Sequence, residues 1–174
     1  TEGDLVDMKK LFILVMIFSF ITSFLLANSL ELGSPAPQLK VLTDQGTALD
    51  LGEALSVGTT LVFFYPKAMT PGCVKQACSL RDGWDELQSR NVSIFGVSSD
   101  TAKTQAQFRD KYTLPFTLLA DTDGQIADAF SKSRWSRQAY IFKDGILVWR
   151  DLKAATSKQA TEILAALDEL EPNS

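Results

Sequence analysis

The stretch Phe63–Asp82, FFYPKAMTPGCVKQACSLRD, constrains the fold of this chain more than any other. A continuous apolar run from Leu61 to Tyr65 reads as a buried strand, and it stops at Pro66. After a short loop, Thr70-Pro71-Gly72 opens a helical pattern. Pro71 suits a first helical turn, where its missing N–H is no loss, and Thr70 is a favourable N-cap. An apolar stripe follows at Cys73, Ala77, Leu80, Trp84 and Leu87, spaced four, three, four and three. The first cysteine therefore stands in the opening turn of a helix, at the end of its buried face.

The rest of the chain alternates strands with helices. Leu39–Leu42 and Thr47–Leu49 flank Asp44-Gln45-Gly46, which predicts a short hairpin, and a helical turn is expected at Leu51–Leu55. Val92–Ser98 reads as a second buried strand. Thr101–Tyr112 reads as a helix with Ala102, Ala106 and Phe108 turned inward. Phe116–Leu119 is a third strand ending at Asp121-Thr122-Asp123-Gly124, and Ile126–Phe130 is a brief helix. Gln138–Phe142 and Ile146–Trp149 are strands joined by a tight Lys143-Asp144-Gly145 turn. Thr156–Leu170 closes the chain as an amphipathic helix through Ile163, Leu164, Leu167 and Leu170. This order predicts one α/β domain over residues 30–174, with a parallel core sheet made mixed by the late hairpin.

Ahead of that domain, residues 11–30 form an uncharged apolar run preceded by Met8-Lys9-Lys10 and followed through Ala27-Asn28-Ser29. A short basic start, an apolar stretch and small residues at the −3 and −1 positions form the layout of a secretory signal peptide. Residues 1–29 are thus expected to be upstream residues plus a signal peptide, with Met8 as the start and Thr1–Asp7 as preceding sequence. The alternative is a retained membrane anchor, since a span needs about 20 apolar residues. Either reading places the domain in the periplasm, a lumen or the extracellular space, or anchored and facing that side.

Composition narrows the chemistry. A chain of 174 residues with a net charge of −4 gives no reason to expect nucleic-acid binding. Histidine is absent and there are two cysteines, so neither a tetrahedral Cys/His metal site nor a histidine-based nucleophile system can be assembled. No phosphate-cradling glycine motif is present, and no cofactor is expected.

What remains is the cysteine pair. Free N–H groups and the helix dipole at a first turn favour an anion, so a sulfur at Cys73 holds more thiolate there. Cys78 follows five residues later, close enough to suggest a redox pair. In an intact helix, five residues give a rise of about 7.5 Å and leave the two side chains roughly 140° apart. A disulfide needs Cβ atoms near ~4 Å, so the pair can close only if the helix unwinds. The plainer readings are a static structural disulfide or two buried thiols. Helical geometry and the short loop oppose the first.

The string Tyr65-Pro66-Lys67, Thr70-Pro71-Gly72-Cys73-Val74-Lys75-Gln76-Ala77-Cys78, Arg81-Asp82 resembles the active-site signature of the peroxiredoxins, in the bacterioferritin comigratory protein or peroxiredoxin Q branch. The opening GSPAPQLKVLTDQG and the segment Arg137-Gln138-Ala139-Tyr140-Ile141-Phe142 are also similar to that family. The resemblance implies a thioredoxin-like fold with peroxiredoxin additions, its central mixed sheet flanked by helices. It implies a thiol-dependent peroxidase acting on hydrogen peroxide and organic hydroperoxides, with Cys73 as the peroxidatic nucleophile and Cys78 as the resolving thiol. Thr70 and Arg137 would complete the catalytic set, with Arg134 as the rival arginine. Pro66, Pro71 and Gly72 would shape and shield the pocket. The expected partner is a thioredoxin-like dithiol reductant, and the expected state is a monomer. Ala68-Met69 replaces the polar pair usual in this branch and implies a more apolar mouth, tilted toward organic hydroperoxides. Gln76 stands where many relatives carry Glu. A peroxide sensor without turnover and a thiol-disulfide oxidoreductase are the alternatives on the same fold. Trp84, Trp135 and Trp149 are expected to be core or rim aromatics.

Overall fold

A computed structural model of the chain describes residues 30–133 and 135–170. The expected signal peptide or anchor and the rival Arg134 lie outside the described residues. Among the described residues, no helix is long and apolar enough to cross a membrane.

Among the described residues, seven strands form one mixed sheet in the order β2-β1-β5-β4-β3-β6-β7. They are β1 (Lys40–Thr43), β2 (Ala48–Asp50), β3 (Thr59–Phe64), β4 (Val92–Ser98), β5 (Thr117–Ala120), β6 (Gln138–Lys143) and β7 (Ile146–Asp151). The helices are α1 (Leu51–Leu55), α2 (Pro71–Asp82), α3 (Trp84–Ser89), α4 (Ala102–Tyr112), α5 (Gln125–Ala129) and α6 (Gln159–Leu170). β3 pairs in parallel with β4, and β4 with β5, as helical crossovers require. The hairpins β1–β2 and β6–β7 close the two edges in antiparallel pairing.

Alternation along β3 divides the core. Leu61, Phe63 and Tyr65 face α2, α3, α4 and α6, together with Cys73 and Ala77. Val62 and Phe64 face the opposite layer with Leu51, Leu55, Ile126 and Phe130. Every side chain from Leu61 to Tyr65 is buried, as the continuous apolar run predicts for a central strand.

Three helical expectations shift. The stripe from Cys73 to Leu87 is not one helix: it breaks at Gly83 into α2 and α3. A Cβ on Gly83 would lie 2.7 Å from Ala160 Cβ, so the missing side chain is what lets α6 approach this corner. On α4 the buried residues are Gln105 and Phe108, while Ala102 and Ala106 are only half-buried. On α6 the inward residues are Gln159, Ala160, Ile163, Ala166 and Leu167, with Leu164 and Leu170 at the margin. The helix also begins at Gln159 rather than Thr156. In both helices a buried glutamine occupies a place that an apolar-stripe reading leaves empty.

Candidate active site

β3 ends at Phe64 and α2 begins at Pro71, and six residues bridge them. Thr70 takes the N-cap position with extended backbone (φ −80°, ψ 148°), and its carbonyl accepts the first helical bond from Val74 N–H at 2.9 Å. Its hydroxyl does not cap the helix. It lies instead 2.9 Å from Cys73 Sγ and 2.9 Å from the Lys67 carbonyl. A hydroxyl has one proton, so it can donate to only one of the two at a time. With Cys73 as a thiol, the S–H donates to Thr70 and Thr70 donates to Lys67. With Cys73 as a thiolate, Thr70 donates to the sulfur.

Arg137 stands immediately before β6. Because β6 runs antiparallel to β3 with Gln138 opposite Phe64, that position overhangs the β3–α2 loop. One guanidinium nitrogen, Nη1, donates to Cys73 Sγ at 3.3 Å and to Gln76 Oε1 at 2.9 Å. A Cβ on Gly72 would sit 2.8 Å from Arg137 Nη2, so glycine is what admits the cation to the helix start. Cys73 itself is fully buried and Arg137 half-buried. Desolvation of that kind strengthens both contacts to the sulfur.

The expected site residues therefore converge: Thr70, Gly72, Cys73 and Arg137 meet at one point. Pro66 is half-buried beside them, and Pro71 is exposed at the first helical position. Cys78 is half-buried further along α2, and both thiols are free. Ala68 is buried, and half-buried Met69 packs against the cluster that contains Cys73. Met69 has φ 64°, a left-handed conformation costly for such a residue, so neighbouring contacts must hold it. One is visible: Ala68 N–H donates to Asp100 Oδ2 at 2.7 Å, and Ser98 Oγ donates to the same oxygen at 2.7 Å. Gln105 Nε2 donates to Ser98 Oγ and to the Leu119 carbonyl, and its Oε1 accepts from Tyr65. Burial pushes the Tyr65 hydroxyl up, which keeps it a donor.

Sequence reasoning gave no role to two residues at the sulfur's back, Gln76, noted only as replacing a usual Glu, and Gln159. Gln76 is buried; besides accepting from Arg137, its Nε2 donates to Gln159 Oε1 at 2.9 Å and approaches the Phe64 carbonyl at 3.5 Å. Gln159 is also buried, 83 residues away in sequence. The signal that finds both is a glutamine at a stripe position: Gln76 follows Cys73 by three, and Gln159 precedes Ile163 by four. A cavity of about 290 Å³ lined by Phe64, Tyr65, Ser98, Asp121, Asp128 and Lys132 lies at the strand ends; Cys73 is not among its lining. Among the described residues, no group of acidic, Cys or His side chains is placed to hold a metal.

Comparison with known proteins identifies the family and agrees with the fold. Residues 32–150 match the AhpC/TSA family. Peroxiredoxin Bcp of Escherichia coli (strain K12) is 40% identical over 121 residues, covering 68% of this chain and 76% of its own length. Among solved structures, peroxidoxin BcpB from Mycobacterium tuberculosis superposes with a TM-score of 0.75 at 28% identity, over 81% of this chain and 98% of its own. The Xanthomonas campestris bacterioferritin comigratory protein, solved in trapped intermediate and ligand complexes that bear on its alkyl peroxide reduction activity, superposes with a TM-score of 0.73 at 25% identity, over 82% and 99% of the two chains. On this family match and these relatives, the chain belongs to the AhpC/TSA family, as a peroxiredoxin of the Bcp type.

Proposed function

We propose that this thiol-dependent peroxidase works through Cys73 as the sulfur that attacks peroxide. The observation that carries the reading is that Thr70 and Arg137 both point donors at one buried sulfur in the first turn of a helix. Backbone N–H groups at the helix start, the guanidinium and the hydroxyl together favour negative charge there. The thiolate takes the distal oxygen of the peroxide, the O–O bond breaks, and the leaving alkoxide or hydroxide picks up a proton. Sulfur is oxidised by two electrons to a sulfenic acid. Arg137 and Thr70 hold the peroxide oxygens while charge moves from sulfur to the leaving oxygen. Pro66, Pro71 and Gly72 restrict the loop around that small space.

Cys78 then attacks the sulfenic sulfur, forming an S–S bond and releasing water. With both cysteines in α2, the first turns of the helix unwind for the sulfurs to meet. A thioredoxin-like dithiol returns two electrons and two protons and restores both thiols. Buried Ala68 and half-buried Met69 give the mouth an apolar side that favours organic hydroperoxides. The N-terminal apolar run supports export, so the dithiol donor would be one available outside the cytoplasm, and the domain would act as a monomer.

Peroxide consumption with hydrogen peroxide and cumene hydroperoxide, coupled to a thioredoxin system, tests this. Cys73→Ser is expected to abolish consumption. Cys78→Ser is expected to keep one rapid equivalent and lose turnover with thioredoxin. Undiminished consumption by Cys73→Ser would sink the assignment.

A further inference from the structure

We propose that Gln159, the first residue of α6, is a positioning residue for this site: it fixes the amide of Gln76 so that Gln76 presents oxygen, not nitrogen, to Arg137. The proposal rests on the assignment of Cys73 and Arg137 above.

The polarity of the chain of contacts is dictated by its charged end. A guanidinium has donors only. Arg137 Nη1 uses one hydrogen on Cys73 Sγ, so whatever receives the other must be an acceptor. Gln76 meets that need through Oε1, which turns its Nε2 away from the site. There it needs an acceptor in turn, and Gln159 Oε1 at 2.9 Å is the near one; the Phe64 carbonyl lies at 3.5 Å. An amide is nearly symmetric in shape, so packing alone does not choose between its two orientations. Without Gln159 Oε1, Gln76 can turn over and set its N–H₂ against Arg137, donor to donor. Arg137 would then lose the acceptor that aims Nη1 at the sulfur.

Two further observations favour this role over plain packing. Gln159 Nε2 is buried with no partner, a liability that an apolar side chain of similar size would avoid. The helix start is also pinned where the amide needs it. Ala160 N–H donates to Ser79 Oγ at 3.1 Å, and Ala160 Cβ fills the space left by Gly83. Gln76 and Ser79 lie on one face of α2 and Gly83 caps its end, so the first turn of α6 is seated along that face. The pair is uncharged. Arg137 therefore keeps its full positive charge for the sulfur and the peroxide, which a carboxylate at position 76 would partly neutralise.

The test measures two quantities for the reduced protein: the second-order rate constant with peroxide, by stopped-flow tryptophan fluorescence, and the pH dependence of Cys73 alkylation in a Cys78→Ser background. Gln159→Met removes the acceptor at nearly constant volume. It is expected to slow peroxide reaction about tenfold, the scale of one buried hydrogen bond, and to move the alkylation profile to higher pH. Gln159→Glu, which keeps an acceptor oxygen, is expected to stay within about threefold of the parent. In a Gln76→Met background the Gln159→Met change should have no further effect, because the amide it acts through is gone. A parent-like rate and profile for Gln159→Met, an equal loss in the Gln76→Met background, or a loss in Gln159→Glu as large as in Gln159→Met would each overturn the proposal. Should Gln159→Met fail to fold, Gln159→Glu is the test: a peroxide rate constant more than about threefold below the parent overturns the proposal. Failure of the underlying peroxidase assignment looks different: the parent consumes no peroxide and Cys73→Ser changes nothing.

Discussion

Two buried polar networks flank β3 on the same face of the sheet, and they differ in how completely they are satisfied. On the β4 side, Gln105 uses everything it has: Oε1 accepts from Tyr65, and Nε2 donates to Ser98 and to the Leu119 carbonyl. Ser98 and Asp100 then tie that amide to the loop at Ala68. On the β6 side, the chain from Cys73 through Arg137 and Gln76 ends at Gln159, whose Nε2 is an orphan. The saturated network holds parts that do not move in the proposed cycle. The unsaturated one crosses the α2–α6 seam, which would loosen in the proposed unwinding of α2. A network with an orphan donor stabilises the closed form less, and that is the cheaper place to open.

The largest effect expected from breaking this contrast is on chemistry. Arg137→Ala should lower the peroxide rate constant about a hundredfold to a thousandfold, the range for removing one charge-stabilising donor, as stopped-flow will read. An unchanged constant would remove the β6-side network from the mechanism. Next comes stability of the reduced protein, measured by urea unfolding. Gln105→Met removes three buried hydrogen bonds, those to Tyr65, Ser98 and the Leu119 carbonyl, and should cost about 3 kcal/mol. Gln159→Met strips one acceptor but also deletes the orphan, and should cost about 1 kcal/mol or less. Equal losses would show that the two networks are not different in kind. Smaller still is a change in exchange. On forming the Cys73–Cys78 disulfide, amides of residues 72–80 should exchange roughly tenfold faster or more, while those of α4 keep their protection. Retained protection at 72–80 would mean that the sulfurs meet without unwinding.

Most of the frame was readable because it depends on local pattern. The run Leu61–Tyr65 is continuous because β3 is central and covered on both faces, and Asp144-Gly145 turns β6 into β7 because that dipeptide accepts positive φ. Thr70 and Cys73 were legible as a helix start, though the Thr70 hydroxyl serves the sulfur rather than the helix. Arg137 came from family likeness, since an arginine at a strand start is ordinarily a solvated charge. What did not show is what depends on distant chain. The helix break at Gly83 is set by Ala160, and the buried state of Gln76 is set by Gln159 and Arg137. A periodicity argument assigns polar residues to the outer face, so Gln105 and Gln159 were passed over for Ala102, Ala106 and Leu164. Glutamine in an apolar stripe carries no charge, draws little notice, and in this fold marks each of the buried networks.

The smallest effect tests whether the other face of the sheet stays out of the cycle. Lys132 packs over the ring of Phe64, which like Val62 faces the layer away from Cys73. Burial lowers its ammonium to about 8, with Asp121 opposing that shift. Because the folded value lies below the ordinary 10.5, the unfolded chain holds a proton between those values that the folded chain has released. Unfolding then takes up a proton, so stability rises as pH climbs from 8 toward 10.5. Tyr140, raised to about 12 by burial, works the other way above pH 10, where the folded state keeps a proton that the unfolded chain loses. The clean window for Lys132 is therefore pH 8 to 10. Lys132→Met should flatten the rise there in urea unfolding and leave the peroxide rate constant unchanged. A fall in that constant would mean that the two faces are coupled through β3, and that the contrast between the networks is not confined to the Cys73 side.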